Sequence, residues 1–307
     1  MRRYGKDRYG RQRWQCCRCG QIVVHKRPDH QRRASAQLLA QWLTSSQSLS
    51  HFAHIRNVSL STIQRHLAVS WRSCPLPTPY IRPARVIVLD ALSVVKHQCM
   101  AFIARDAVRG PVMNWQFAPR ESHATWKQFL IRLPKPRYVV CDGQRGLLKA
   151  ISEQFPDALI QRCMIHVIRQ ANLWLTRNPR MRAGVQLQAL VRVLPKVQTR
   201  RQKRKWIRLF KYWCRKHHDF LKERTYSPAN PKRWWYTHRK LRAVRSLLKH
   251  SSPDLFRFIK DRAVPRTSNH VEGGINSRMK DLFRRHRGIK GWKKVILAGH
   301  YLRLRQD

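Results

Sequence analysis

Acid is what this chain has least of. Across 307 residues, 15 Asp and Glu stand against 65 Lys and Arg, a formal charge of +50. That imbalance, with a pI near 11.6, is the electrostatic footprint of a nucleic-acid binder, because neutralising phosphates releases their counterions. Long hydrophobic runs are also missing. No stretch of 18 apolar residues occurs, and Met1-Arg2-Arg3-Tyr4-Gly5 leads into no apolar segment of signal-peptide length. A membrane partner is therefore not expected, and a soluble, intracellular protein is. Eight cysteines follow no secreted-scaffold spacing, which suits reduced thiols. There is only one C-x₂-C, Cys16 and Cys19 followed by Gly20, with His25 as a further candidate ligand. A structural zinc site needs four ligands. Residues 1–34 thus read as a partial zinc-ribbon-like basic arm, with zinc and free thiols both open. A hydrophobic content of 42% excludes a disordered basic tail and supplies cores, for about two domains at this length.

Scarcity makes the placement of the few acids informative. Asp90 follows the apolar run Val86-Ile87-Val88-Leu89, and Asp142 follows Tyr138-Val139-Val140-Cys141 and precedes Gly143. Glu272 lies in Thr267-Ser268-Asn269-His270-Val271-Glu272-Gly273-Gly274, which reads as a helix start. Two strand-end aspartates and a glutamate on a later helix can converge into an all-oxygen site. Such a site suits Mg²⁺, with Mn²⁺ as a substitute. Each has an ordinary alternative. Strand-end Asp residues form turns, and Asn269 with Glu272 matches a capping box.

The pattern along the chain divides it further. Residues 35–74 hold an apolar-periodic segment, then 49–55 and 61–67 separated by Asn57-Val58-Ser59. That is the outline of a helix-turn-helix, whose second helix would offer Ser61, Thr62, Gln64 and Arg65 to the major groove; plain helix packing is the alternative. The proline-rich stretch 75–84 is a stiff linker. Over 85–171 the order is three strands, helix, strand, helix, strand: 85–89, 98–104, 112–117, 125–133, 137–141, 146–154 and 158–163. That order predicts an α/β fold, a mixed sheet with helices on its faces. Residues 172–265 read as a basic, all-α insertion, in which positions 176–250 hold 23 Lys and Arg against Asp219 and Glu223. Arg200, Arg201, Lys203, Arg204 and Lys205 are its densest run and are expected to grip DNA phosphates. Trp206, Trp213, Trp234 and Trp235 are expected either to stack on bases or to pack beneath a solvated face. Residues 266–307 carry the Glu272 helix, running to a C-cap at Gly288.

Together these residues resemble the bacterial insertion-sequence transposases of the Mutator-like type. The carriers are Val-Ile-Val-Leu-Asp90, Val-Val-Cys-Asp142-Gly-Gln-Arg-Gly-Leu, Gln161-Arg162-Cys163-Met164-Ile165-His166, Ser268-Asn-His-Val-Glu272-Gly-Gly-Ile-Asn-Ser and Arg285-His286-Arg287-Gly288. The resemblance implies an RNase H-like fold with an inserted helical region, and Asp90, Asp142 and Glu272 as a triad holding two Mg²⁺ ions. It also implies cleavage at transposon ends, strand transfer into target DNA, and at least a dimer on DNA. Cys163 and His166 match a C-x₂-H signature to which no role is assigned. Two rivals share the residues: an RNase H-like nuclease without strand transfer, and a transposase-derived protein that only binds DNA.

Overall fold

The structure is a computed structural model. It describes residues 1–24 and 28–306, and the side chains of 28–32, 231, 270 and 272 lie outside that description, as does His25. The chain divides into two compact units, Met1–Cys74 and Pro75–Asp307.

In the first unit, strands β1 (Arg2–Lys6), β2 (Gln12–Gln15) and β3 (Ile22–Val24) form an antiparallel sheet in the order β1-β2-β3. Cys16 and Cys19 lie in the turn between β2 and β3, which is closed by Cys16 N–H to the Gln21 carbonyl at 2.9 Å and Gly20 N–H to the Cys16 carbonyl at 3.0 Å. Three helices follow, α1 (Pro28–Thr44), α2 (Leu49–Ile55) and α3 (Leu60–Leu67). Ser48 and Ser59 cap α2 and α3, each hydroxyl accepting from the backbone N–H three residues on, which satisfies an otherwise orphaned donor. Leu39, Trp42, Leu43, Phe52, Ala53, Ile63 and Leu67 are buried. On α3 that leaves Ser61, Gln64 and Arg65 exposed and Thr62 half-buried.

The second unit is built on a five-stranded mixed sheet in the order β6-β5-β4-β7-β8. Strands β4 (Val86–Val95), β5 (Cys99–Asp106) and β6 (Val112–Ala118) meander antiparallel, and β7 (Tyr138–Cys141) and β8 (Leu159–Arg162) run parallel to β4. Alternation sorts the side chains onto two faces. Ile87, Leu89, Phe102, Ala104 and Met113 meet Trp126, Phe129, Leu147 and Ile151 of α4 (His123–Leu130) and α5 (Arg145–Gln154). The Phe102 and Trp126 rings pack edge to face at 4.7 Å, worth about 0.5–1.5 kcal/mol beyond area burial. Val86, Val88, Leu92, Val94 and Ile103 face the other way, into a core shared with α6 (Met164–Leu175), the insertion and the C-terminal helices.

The insertion is not all helix. It holds α7 (Arg182–Val193), α8 (Arg200–Lys216) and α9 (Arg239–Ser251), but between the last two lies a hairpin, β9 (Arg224–Ser227) and β10 (Asn230–Tyr236). Threonine and aromatic residues on both sides of Ser227-Pro228-Ala229-Asn230-Pro231 favour strands, and the prolines break a helix. Arg224 over Trp234 at 4.0 Å and Arg242 over Tyr236 at 3.4 Å hold it. Trp206 and Trp213 are buried, and their indole N–H groups donate to the Leu190 and Ala183 carbonyls. They are core residues and are unavailable to bases; Trp234 is exposed.

After the insertion come α10 (Asn269–Val271), a π-helical turn (Glu272–Asn276), α11 (Ser277–Arg285) and α12 (Gly291–Arg303). α11 ends with His286 as its C-cap, short of the expected Gly288.

Candidate active site

Asp90 does not end its strand. It is the fifth of ten residues in β4, directly opposite Ile103 of β5. The strand continues because Leu92 and Val94 keep the apolar alternation on the same face, a signal hidden by Asp90, Ala91 and Ser93. Asp90 is therefore an acid on the buried side of a sheet, 8% exposed, and burial of a charge needs partners. Its Oδ1 accepts from Ala91 N–H at 3.0 Å and its Oδ2 from Asn276 Nδ2 at 2.7 Å. Asn276 is itself buried, and its own Oδ1 has no hydrogen-bond partner.

The parallel register pairs Val86 with Tyr138 and Val88 with Val140. The ladder ends there, and Asp142 follows the last residue of β7, two positions after Val140 as Asp90 is two positions after Val88. Asp142 is partly exposed, and its Oδ1 accepts from Gln144 N–H at 2.9 Å. Gly143 has φ +81°, and a Cβ there would lie 1.7 Å from Arg162 Nε. Only glycine fits, on both counts. The Arg162 Nε donates to the Asp142 carbonyl at 3.0 Å, which places a cation at the rim of the carboxylates.

The third element reaches the same place. The π-turn that starts at Glu272 ends at Asn276, whose amide holds Asp90. Insertion of π-geometry into a helix is rare and is frequently found at functional sites. The Glu272 side chain lies outside the described residues, so neither its metal role nor the capping-box alternative is decided by contacts. Asn269 lies within the first helical turn, with its N–H on Thr267 Oγ1 at 3.3 Å. Of the two glycines, Gly274 makes the close approach to the sheet: a Cβ there would lie 3.3 Å from Arg105 Nη1, while Gly273 meets nothing within 4 Å.

The Gln161–His166 motif acquires a physical role. Gln161 is fully buried. Its Nε2 donates to the Arg162 and Leu255 carbonyls at 2.8 and 3.0 Å, and its Oε1 accepts from Arg257 N–H at 2.9 Å. Two residues on, Cys163 Sγ accepts from both the N–H and the hydroxyl of Ser268 at 3.3 Å, and Met164 N–H donates to the Arg266 carbonyl at 3.0 Å. Burial pushes the Cys163 thiol up, but hydrogen bonds from His166 and Ser268 outweigh it and leave the thiol below its ordinary value. β8 thus clasps both the end of the insertion and the start of the Glu272 segment.

One acid near the site went unnoticed in the sequence. Burial pushes the Glu121 carboxyl above its ordinary range; the Trp126 indole, 2.9 Å from Oε1, pulls it back, and the charge of Asp142 pushes it up again. Its only signal was the scarcity of acid, since Arg120-Glu121-Ser122 otherwise reads as a helix entry. Among the described residues no group of three His, Cys, Asp or Glu could hold a metal ion. Cys16, Cys17 and Cys19 are three free thiols of one turn. Of the basic run, Arg200, Arg201, Arg204 and Lys205 are exposed on α8, whereas Lys203 is half-buried with its ammonium 5.6 Å from the Phe256 ring. No helix among the described residues is long and apolar enough to cross a membrane.

Comparison with known proteins bears out the family resemblance. Residues 80–224 match the model of "Transposase, Mutator family", a span that contains Asp90, Asp142, Cys163 and His166 and stops before Glu272. The chain is similar to the transposase for insertion sequence element ISRM5 of Rhizobium meliloti, 42% identical over 69 residues, 20% of this chain and 17% of that protein. It is also similar to a probable insertion-sequence transposase of Corynebacterium diphtheriae, 27% identical over 111 residues, 34% of this chain and 32% of that protein. A third, the transposase for IS905 of Lactococcus lactis, is 38% identical over 63 residues, 19% of this chain and 16% of that protein. The chain spans about a third or less of the length of these curated relatives.

Proposed function

We propose, on the premise of this Mutator-family match, that the chain is a DNA transposase that cuts phosphodiesters at insertion-sequence ends and joins the freed 3′-hydroxyl to target DNA. The observation that carries the reading is the hydrogen bond from Asn276, at the end of the turn that begins at Glu272, to Asp90, together with a β4–β7 register that pairs Val88 with Val140, each two residues before an aspartate. The sheet order, three antiparallel strands followed by two parallel ones, agrees with an RNase H-like core.

The donor set fits Mg²⁺. Asp90, Asp142 and Glu272 would hold it, and the unpartnered Asn276 Oδ1 adds an oxygen beside Asp90. All-oxygen sets are what this ion takes. Bound there, it would supply Lewis-acid stabilisation of phosphoryl oxygens and activation of a water or hydroxyl nucleophile. The protein's own residues do the rest. Asn276 fixes the Asp90 carboxylate through Oδ2, Gly143 lets the Asp142 turn form against Arg162, and the Arg162 guanidinium offsets phosphate charge. Cys163 holds the start of the Glu272 segment through Ser268, and Gln161 holds the end of the insertion through Leu255 and Arg257. Such a reaction asks the protein mainly for positioning and charge stabilisation. The exposed lysines and arginines of α8 grip the backbone, and α3 reads the ends through Ser61, Thr62, Gln64 and Arg65. Two ends must be handled together, so the working species is at least a dimer on DNA. Zinc at Cys16 and Cys19 would need further ligands, and among the described residues no group of three His, Cys, Asp or Glu could hold a metal ion.

The test is purified protein with flanking end DNA and Mg²⁺, scoring cleavage and joining separately. Wild type should yield both products. Asp90→Ala, Asp142→Ala and Glu272→Ala should each lose cleavage by at least a thousandfold while DNA binding is kept. A variant that still cleaves near the wild-type rate takes its residue out of the site. Cleavage without joining would mean a nuclease, and binding without either a DNA-binding protein.

A further inference from the structure

Beside the sheet lies a cavity of about 540 Å³ lined by five arginines, Arg82, Arg105, Arg109, Arg278 and Arg305. Its volume is that of an ordinary ligand site, but its lining is overwhelmingly cationic. Asp106, the acid paired with the lining Arg109, is fully buried and already committed to Tyr80, to Arg109 and to the N–H groups of Val108 and Arg109. Arg82, Arg278 and Arg305 are exposed. Burial, and then the charge of Arg305, hold the Arg105 guanidinium below its ordinary value, as expected of crowded like charges. Tyr301, 5.3 Å beneath Arg305, has a buried hydroxyl without a hydrogen-bond partner. The arrangement calls for a multivalent anion.

Its position gives the anion a purpose. Arg105 pairs with Val88, two residues from Asp90 on the same face of the sheet, so about 7 Å along the strand and about 5 Å across it put the two backbones roughly 8 Å apart. The lining also includes Gly274, Ile275 and Arg278, from the π-turn that begins at Glu272 and from the helix after it, with Gly274 against the Arg105 guanidinium. We propose that this pocket anchors a backbone phosphate of the DNA strand held at Asp90 and Asp142, and that its occupation locks the π-turn carrying Glu272 in place. The choice of DNA as the source of the phosphate rests on the function proposed above; the pocket's demand for phosphate does not.

The experiment uses the full chain without divalent cation and tripolyphosphate as probe, followed by calorimetry and by amide exchange of residues 269–285. Wild type should bind the probe at one saturable site and slow exchange in that segment. Arg82→Gln/Arg278→Gln/Arg305→Gln alters only exposed side chains. It should raise Kd at least tenfold and abolish the slowing. Arg132→Gln/Lys135→Gln/Lys149→Gln removes the same charge from the opposite helical layer and should change neither. Asp90→Asn/Asp142→Asn should bind the probe at least as well as wild type. Equal weakening by both arginine–lysine triples, or no slowing in wild type, overturns the proposal. A second arm titrates a single-stranded 12-mer. A pocket triple that binds tripolyphosphate poorly but the 12-mer normally would assign the pocket to a free phosphate ligand and overturn its DNA role. Failure of the transposase reading would show elsewhere, as absent cleavage and joining with these binding results intact.

Discussion

Replacing Gln161 by Leu should cost this protein far more than the loss of one side-chain amide suggests. The side chain is completely buried and closes three good hydrogen bonds to backbone groups, at 2.8, 2.9 and 3.0 Å, with a fourth, longer one from Phe258 N–H at 3.4 Å. Leucine fills similar space but leaves two carbonyls and two N–H groups facing it. Each buried group left unsatisfied costs about 1–3 kcal/mol. With partial relaxation of the loop, the three stronger bonds give an expected loss of about 3–5 kcal/mol. Total stabilities are only about 5–15 kcal/mol, so this is a large fraction. Because Leu255, Arg257 and Phe258 sit where the insertion returns to the sheet, the damage should be local first. Urea unfolding followed by tryptophan fluorescence measures the loss, and amide exchange shows where it falls. Faster exchange should be confined to residues 254–270, with β4 and β5 protected until global unfolding. A loss under about 1 kcal/mol, or acceleration spread evenly over the sheet, would refute the clasp.

Three further outcomes are expected. Charge reversal of Arg200, Arg201, Arg204 and Lys205, all exposed on α8, should weaken DNA binding for every sequence and reduce the steepness of its salt dependence, as lost phosphate contacts do; an unaltered salt slope in a filter-binding titration would make α8 a solvated face. Alanine at Ser61, Gln64 and Arg65 should erase the preference for end sequences over scrambled duplex at matched salt and leave scrambled-duplex affinity nearly unchanged, because base contacts specify and phosphate contacts position; retained discrimination would move the reading head elsewhere. Burial pushes the Asp106 carboxyl up, but hydrogen bonds from Arg109, Tyr80 and Val108 outweigh it and hold it below the ordinary range, so its contribution is complete above about pH 3.9 and is lost as pH falls through the lowered folded value. Asp106→Asn should therefore be less stable than wild type near pH 6, and the gap should close in acid; a gap that stays constant from pH 6 to 3 would show that the carboxylate charge is not what stabilises the end of β5.

What the sequence made legible follows from how far each signal reaches. The strands of the mixed sheet could be read because apolar alternation and runs are local, and β7 and β8 fell within a residue or two of their expected bounds. That Asp90 and Asp142 each lie two positions beyond a paired residue of β4 and β7 was legible only conditionally, since it depends on β4 and β7 being neighbours, which no local pattern states. Asp90 was misplaced at a strand end because polar residues interrupt the run, although Leu92 and Val94 carry it on. The hairpin of the insertion was missed because surrounding basic helices dominate the composition, and the threonine and aromatic residues of 224–236 are few. Trp206 and Trp213 illustrate a different limit: a tryptophan among arginines looks like a base-stacking platform until packing shows it under the helix. Glu121, the clasp at Gln161 and Cys163, and the arginine pocket are all products of residues far apart in sequence, and nothing near any one of them announces the rest.

The hydrogen bond from Asn276 to Asp90 spans 186 positions of the chain, and that distance sets a clock. On a ribosome the two aspartates emerge together, within 52 residues of one another, but the turn that covers Asp90 appears about 130 residues after Asp142. At roughly 5–20 residues per second, β4 and β7 wait on the order of 7–26 s, during which α6 to α9 must form and bring the chain back to β8. A half-made chain therefore displays Asp90 before the buried amide that holds its carboxylate has been made.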